Sequence, residues 1–248
     1  MSASAARRNV HLSNYAAGIS QDRSKSLANF IAPVVGVGAA SGQYKRYSSK
    51  NDFQVLDTSR AIGGSRRRIE FAATDPFFNC LPQGLETVVD DHERRLAGEG
   101  GDKKLEESRV KNLVGAALTS HEKKVFDIVK AAKAAEGGVG VWSNAANDPV
   151  AEVDAQILAI ATETGMMANR IIFGLGAWAV FRNHALVKGR QPGAEVVGVN
   201  GEQAMRMMLN PQMEFRIGIM SADATKFGAA KNAPNIVGAE VLDRKSVV

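Results

Sequence analysis

The sequence predicts an α+β protein in which a basic arm and an extended loop precede a long helix and a mixed helix–strand region. Three observations predict it. Glycines punctuate a basic stretch between Ile31 and Cys80, a charged amphipathic run follows Asp102, and helical and strand patterns alternate after Asp148.

Residues 1–26 are rich in Ser, Ala, Asn and Arg without sustained periodicity, and are expected to form an arm that a partner would order. Leu27 to Val37 is apolar and suits a short helical turn leading into a strand. Residues 38–64 carry Ser, Gly, Lys and Asn with spaced aromatics (Tyr44, Tyr47, Phe53), the pattern of a long hairpin-like loop. A loop of that length is reasonable where it packs on another subunit. Arg66 to Ala73 alternates, with Arg68, Glu70 and Ala72 set against Arg67, Ile69 and Phe71, which predicts a strand.

Leu85 to Leu96 reads as a helix stopped by Gly98-Glu-Gly-Gly101. Asp102 caps a second helix that runs to about Glu136, with Leu105, Val110, Leu113, Val114, Leu118, Val125, Ile128, Val129 and Ala132 on one face. Lys111, Glu122, Lys123, Asp127 and Lys133 fall mostly off that face. Its predicted length of roughly 50 Å exceeds the globular norm, so it should act as a backbone for other elements. Val139 to Trp142 suits a brief strand. Asp148-Pro149 opens a helix whose apolar face is Val150, Val153, Ile157, Leu158 and Ala161, ending near Gly165. Asn169–Gly174 reads as a buried strand, Ala177–His184 and Gly201–Leu209 as helices, and Glu214–Met220 as an alternating strand.

Bulk composition narrows the function classes. The 248 residues are 45% hydrophobic, which suits one large globular domain or two small ones. No run of eighteen apolar residues occurs, so no membrane-spanning helix is expected. The N-terminal Met1-Ser-Ala-Ser-Ala-Ala-Arg-Arg8 lacks the apolar segment of a secretory signal. Cys80 is the single cysteine, which excludes an internal disulfide and fits a reducing compartment. The net charge of +5 is unevenly placed: residues 1–80 hold eleven Lys/Arg against five Asp/Glu, the remainder twenty against twenty-one. A basic first third suits nucleic acid, an acidic partner, or an acidic face on another copy.

The ordered set of Gly36, Gly38 and Gly42 with Gln43-Tyr-Lys-Arg-Tyr-Ser-Ser-Lys50, then Ser65-Arg-Arg-Arg-Ile-Glu-Phe71, the long helix, Trp142-Ser-Asn144 with Asp148-Pro-Val150, Asn169-Arg-Ile-Ile-Phe-Gly174 and Asn210-Pro-Gln-Met-Glu-Phe-Arg216 resembles the major capsid proteins of tailed bacteriophages. Their shell fold is the Hong Kong ninety-seven type. The resemblance covers about Leu27 to Val241. It implies an N-terminal arm (1–35), an extended loop with its return strand (36–80), a peripheral domain on a spine helix (81–140) and an axial α+β domain (141–242). Two departures stand out. No domain-sized scaffolding segment precedes the loop, so scaffolding is expected from a separate protein or is dispensable. Where the family's closing strand is expected, Asp243-Arg-Lys-Ser-Val-Val248 resembles translated adapter, and 243–248 is expected to be a non-native tail.

Catalytic signatures were weighed in turn. Gly36-Val-Gly38-Ala-Ala-Ser-Gly42 has its third glycine one place late for a dinucleotide loop, and no apolar helix follows. No phosphate-loop signature occurs. His11, His92, His121 and His184 form no His-Glu-x-x-His pair and suit helix surface or core packing. Cys80 beside Leu81-Pro82 suits a buried small hydrophobe. Asp90, Asp91 and Glu93 with Arg94 and Arg95 suit a helix-surface ion-pair array. No catalytic, cofactor or metal residues are therefore assigned, and no enzyme is expected. The candidate subunit-contact residues are Tyr44, Lys45, Arg46, Lys50, Arg66, Arg67 and Arg68.

The resemblance implies a virion shell subunit, assembled in the host cytoplasm through hexamers and pentamers of itself. Its partners would be portal, scaffolding or decoration proteins and packaged double-stranded DNA contacted without sequence preference. Two alternatives are an encapsulin-type nanocompartment shell, which shares the fold and encloses enzymes, and a monomeric basic nucleic-acid-binding protein.

Overall fold

The computed structural model describes residues 9–21, 26–47, 53–66, 68–98, 101–132, 142–191, 198–225, 229–238 and 241–244. Helices and strands are mixed throughout, as an α+β reading requires. The chain divides into two units, residues 1–34 with 85–248 and residues 35–84.

In the larger unit, the stretch expected to be an aperiodic arm contains helix α1 (Val10–Gln21). Leu12, Tyr15, Ala16 and Ile19 recur at helical spacing and are half-buried, so Ser13, Asn14 and Gly18 conceal a real apolar stripe. The Asn9 side chain accepts a hydrogen bond from Leu12 N at 3.2 Å and starts the helix. Helix α1 packs on the long helix, where His11 Nε2 lies 3.7 Å from Glu107 Oε1. A single turn, α2 (Ala28–Ile31), follows.

Helix α3 is Asp91–Ala97, shorter than the expected Leu85–Leu96. The β-branched run Thr87-Val-Val89 precedes Asp90, whose carboxylate accepts from His92 N at 2.6 Å and fixes the start. Gly98 at φ 68° ends it. The long helix α4 is Gly101–Ala132, about 48 Å at 1.5 Å per residue; the expected extension to Glu136 lies outside the described residues. Ion pairs run between α3 and α4 instead of along α3: Glu93 with Arg109 at 2.6 Å and Arg94 with Glu106 at 3.3 Å. On α4 the fully buried residues are Phe126 and Glu122, while Ile128 is 69% exposed. Glu122 was expected off the apolar face; its true setting depends on α2, 95 residues earlier in the chain.

Trp142 sits in a turn, and the rest of the brief strand expected there lies outside the described residues. Helix α5 (Pro149–Thr164) starts as expected, with Asp148 accepting from Val150 N and Ala151 N at 3.1 and 3.4 Å. It ends on Gly165, which adopts φ 69° while its N–H donates to Ala161 O at 2.8 Å. Val150, Val153 and Ile157 are buried; Leu158, counted on the same face, is 58% exposed. Next come strand β5 (Arg170–Gly174), helices α6 (Leu175–Asn183) and α7 (Ala185–Lys188), and α8 (Gly201–Met207). Asn200 and Gln203 close α8 with a reciprocal capping box.

Strand β5 is central in a three-stranded sheet. Strand β6 (Glu214–Gly218) pairs with it in parallel, from Arg170 opposite Glu214 to Gly174 opposite Gly218. Strand β7 (Val241–Arg244) pairs with it antiparallel, from Phe173 opposite Val241 to Arg170 opposite Arg244. Sequence periodicity did not predict β7, because four residues are too few to show alternation. Asp243 and Arg244, assigned to the expected tail, stand in this ladder; 245–248 lie outside the described residues.

Because successive strand residues point to opposite faces, β5 feeds two cores. Ile171 and Phe173 enter a cluster with Val150, Val153, Ile157, Trp178, Phe181 and Met205. Ile172 enters the other, with Leu27, Ile31, Phe126, Ile236 and Val237. Phe173 is the hub of the first: the rings of Trp142, Trp178, Phe181 and Phe215 lie 5.2 to 6.3 Å from it.

Candidate subunit-contact surface

The smaller unit, residues 35–84, is built on a two-stranded ribbon. Strand β1 (Ser41–Gln43) pairs antiparallel with β4 (Phe77–Asn79), and β2 (Arg46–Tyr47) with β3 (Ala73–Thr74). Both pairings share one register, from Ser41 opposite Asn79 to Tyr47 opposite Ala73. Two further bonds bridge and extend the ladder: Tyr44 N donates to Pro76 O at 3.2 Å and Cys80 N to Ala40 O at 2.7 Å. The return strand therefore lies beyond the predicted Arg66–Ala73. Among the described residues, 66 to 72 are in no strand, and the described part of the ladder includes Tyr47 opposite Ala73; residues 48–50, which that register would set opposite 70–72, lie outside the described residues.

The ribbon's faces differ. Gly42 and Phe78 are cross-strand partners on one face, and a Cβ at residue 42 would stand 3.0 Å from the Phe78 ring. Glycine there lets the ring lie flat against the ladder. On the other face Phe77, opposite Gln43, is 66% exposed. Cys80, expected to be buried, is exposed at the end of the return leg, in a unit with no buried described residue.

No described residue from 35 to 84 is buried; only Gly42, Leu56, Pro76 and Phe78 reach half-burial. Tyr44, Tyr47, Phe53, Val55, Ile62, Ile69, Phe71, Phe77 and Leu81 are all exposed. An isolated two-stranded ribbon is marginal in water, and an array of uncovered large apolar side chains marks a surface that is covered by something. The unit also carries seven Lys/Arg against four Asp/Glu. Hydrogen bonds from the Ser59 hydroxyl and amide hold the exposed Asp57 carboxyl below its ordinary range.

Of the predicted contact residues, Tyr44, Lys45 and Arg46 lie on the first leg of the ribbon, all exposed. Arg66 and Arg68 lie in the exposed segment before the return leg. None of the four cations is paired with a described carboxylate. Lys50 and Arg67 lie outside the described residues. Sequence reasoning emphasised the cations and passed over Val55, Ile62, Phe71 and Phe77, whose signal was present: large apolar residues in a Gly- and Ser-rich stretch with no helical period.

No family model and no curated protein matches the chain. Among solved structures, a phage-related protein from Bordetella bronchiseptica matches at a TM-score of 0.66 and 19% identity, over 94% of this chain and 75% of that one. At that identity the likeness speaks for the fold: this chain has the fold of a phage-related protein.

Proposed function

We propose that the chain is a major capsid subunit, a structural protein that assembles with copies of itself into a closed shell around double-stranded DNA. The observation that carries this reading is the second unit: a basic ribbon and loop whose large apolar side chains are exposed and none of whose described residues is buried. Such a unit gains its stability from a neighbour, and a neighbour of the same sequence satisfies every copy at once in a closed symmetric array. Each contact is weak alone, and closure multiplies it. The fold shared with a phage-related protein supports the setting. The phage reading brings with it a virion location and portal, scaffolding or decoration partners. In this reading the chain has no catalytic role.

Replacing Arg66, Arg67 and Arg68 together by glutamate tests the reading. The variant should keep the wild-type circular dichroism and melting temperature yet give no shells by sedimentation velocity and negative-stain microscopy. Shells of normal size from that variant would remove the loop from assembly. A wild-type chain that stays monomeric and binds duplex DNA with steep salt dependence would favour the nucleic-acid reading instead.

A further inference from the structure

Among the described residues, Glu122 is the one buried carboxylate, 1% exposed on a helix whose other acids face water or surface partners. Its Oε2 accepts from Leu27 N at 2.9 Å, and the Ser26 hydroxyl also bonds it. Leu27 is the residue before α2 and has no side-chain cap of its own, so Glu122 caps α2 from another helix. One turn further along α4, Phe126 packs on Leu27 and Ile31. At the far end of α2, Arg170 Nη1 donates to Phe30 O at 2.9 Å and its guanidinium lies 5.1 Å from the Phe30 ring centre. The chain passes into the ribbon unit at Val35, just after this turn.

We propose that Glu122 is a proton-operated latch: it ties residues 26–31 to α4, and its protonation sets how firmly the chain is held before it enters the ribbon unit. The proposal stands apart from the shell reading, since it concerns the single chain. A protonated carboxyl still accepts from Leu27 N through one oxygen and carries no charge into the core. An ionised one makes stronger hydrogen bonds but leaves a charge where water is excluded. Desolvation outweighs the bonds from Ser26 and Leu27 and the nearby His121, and holds the carboxyl above its ordinary 4.5. The ionisable groups on the surrounding elements near this site are His121, Lys123, Lys124, Asp127 and Lys130 on α4, His11 and Tyr15 on α1, Arg170 on β5 and Glu214 and Arg216 on β6; α2 carries none, and Asp127 and Glu214 are paired with Lys123 and Arg170. On neighbouring α3, Arg94 and Glu93 are engaged with Glu106 and Arg109, at the opposite end of α4. Asp22, Arg23 and Lys25 lie outside the described residues.

The sign follows from the raised value. The latch is tightest below pH 4.5 and weakens as pH rises through the folded value. Amide exchange of residues 27–32, corrected for intrinsic rates, tests this on the full chain between pH 4.5 and 8. Protection in the wild type should fall on the order of tenfold across that range, and Glu122→Gln should hold it level. The amides of Ile171 to Phe173 should show no such difference between the two proteins. Ser26→Ala, which removes a bond favouring the ionised form, should move the midpoint to higher pH and serves if Glu122→Gln does not fold. Equal pH dependence in wild type and Glu122→Gln, or an unmoved midpoint in Ser26→Ala, would overturn the latch.

Discussion

Phe173 and Gly174 show how much a single position carries. Phe173 is fully buried and touches four other aromatic rings, so its removal leaves a cavity ringed by rigid groups that collapse poorly. Phe173→Ala should cost about 3–5 kcal/mol in chemical denaturation, near the upper end for a core truncation. A cost under about 1 kcal/mol would show that the cluster repacks. At the next residue the constraint is space: a Cβ on Gly174 would run into the Gly238 carbonyl oxygen, which is backbone and cannot swing aside. The sequence displays Phe173 as part of an apolar run, but Gly174 reads there only as the end of a strand. What demands a glycine is a segment more than sixty residues later.

Among the elements, legibility in the sequence followed locality. Helix α5 was predicted to its ends because Asp148, Pro149 and Gly165 each act within one turn of their own position. That start is also testable: Asp148→Ala removes the acceptor for two amides and should cost about 1 kcal/mol, read as a lower melting temperature. An unchanged melting temperature would mean that neither the two capping bonds nor the pair with Arg190 contributes to stability. Strands β5 and β6 were legible from their apolar pattern. Strand β7 and helix α1 were not, since the first gains its identity from pairing with β5 and the second from packing on α4. Arg66 to Ala73 shows the converse: it alternates like a strand, but among the described residues the return leg is Ala73–Asn79. For the candidate surface, composition pointed to a segment and to its cations, of which Lys45, Arg46, Arg66 and Arg68 are exposed. Exposure of the apolar residues between them required the fold.

At the scale of the whole molecule, the two units differ in kind. One has two apolar clusters around β5; the other has an uncovered ribbon. Trypsin should therefore cut the unassembled chain first at the exposed Lys45, Arg46, Arg60, Arg66 and Arg68. If the chain forms the proposed shell, the same sites should be protected in it. First cuts within 149–188 would contradict the division of stability drawn here, and equal cutting in both states would argue against a covered ribbon.

The pairing of β5 with β7, and of Leu27 and Ile31 with Ile236 and Val237, also sets the order of events during synthesis. At roughly 5–20 residues per second, some ten to forty seconds separate the appearance of Ile31 from that of Ile236. Over that interval the nascent chain holds Leu27 and Ile31, and through its last third Ile172 as well, without the side chains of Ile236 and Val237 that finally cover them. Contacts of Leu27 and Ile31 with Ile236 and Val237 therefore form only late in synthesis, and closures of such long sequence separation are slow and open to misassociation when many chains are made at once. Ribosome-bound chains stalled before residue 236 should engage a holding chaperone that released chains no longer need.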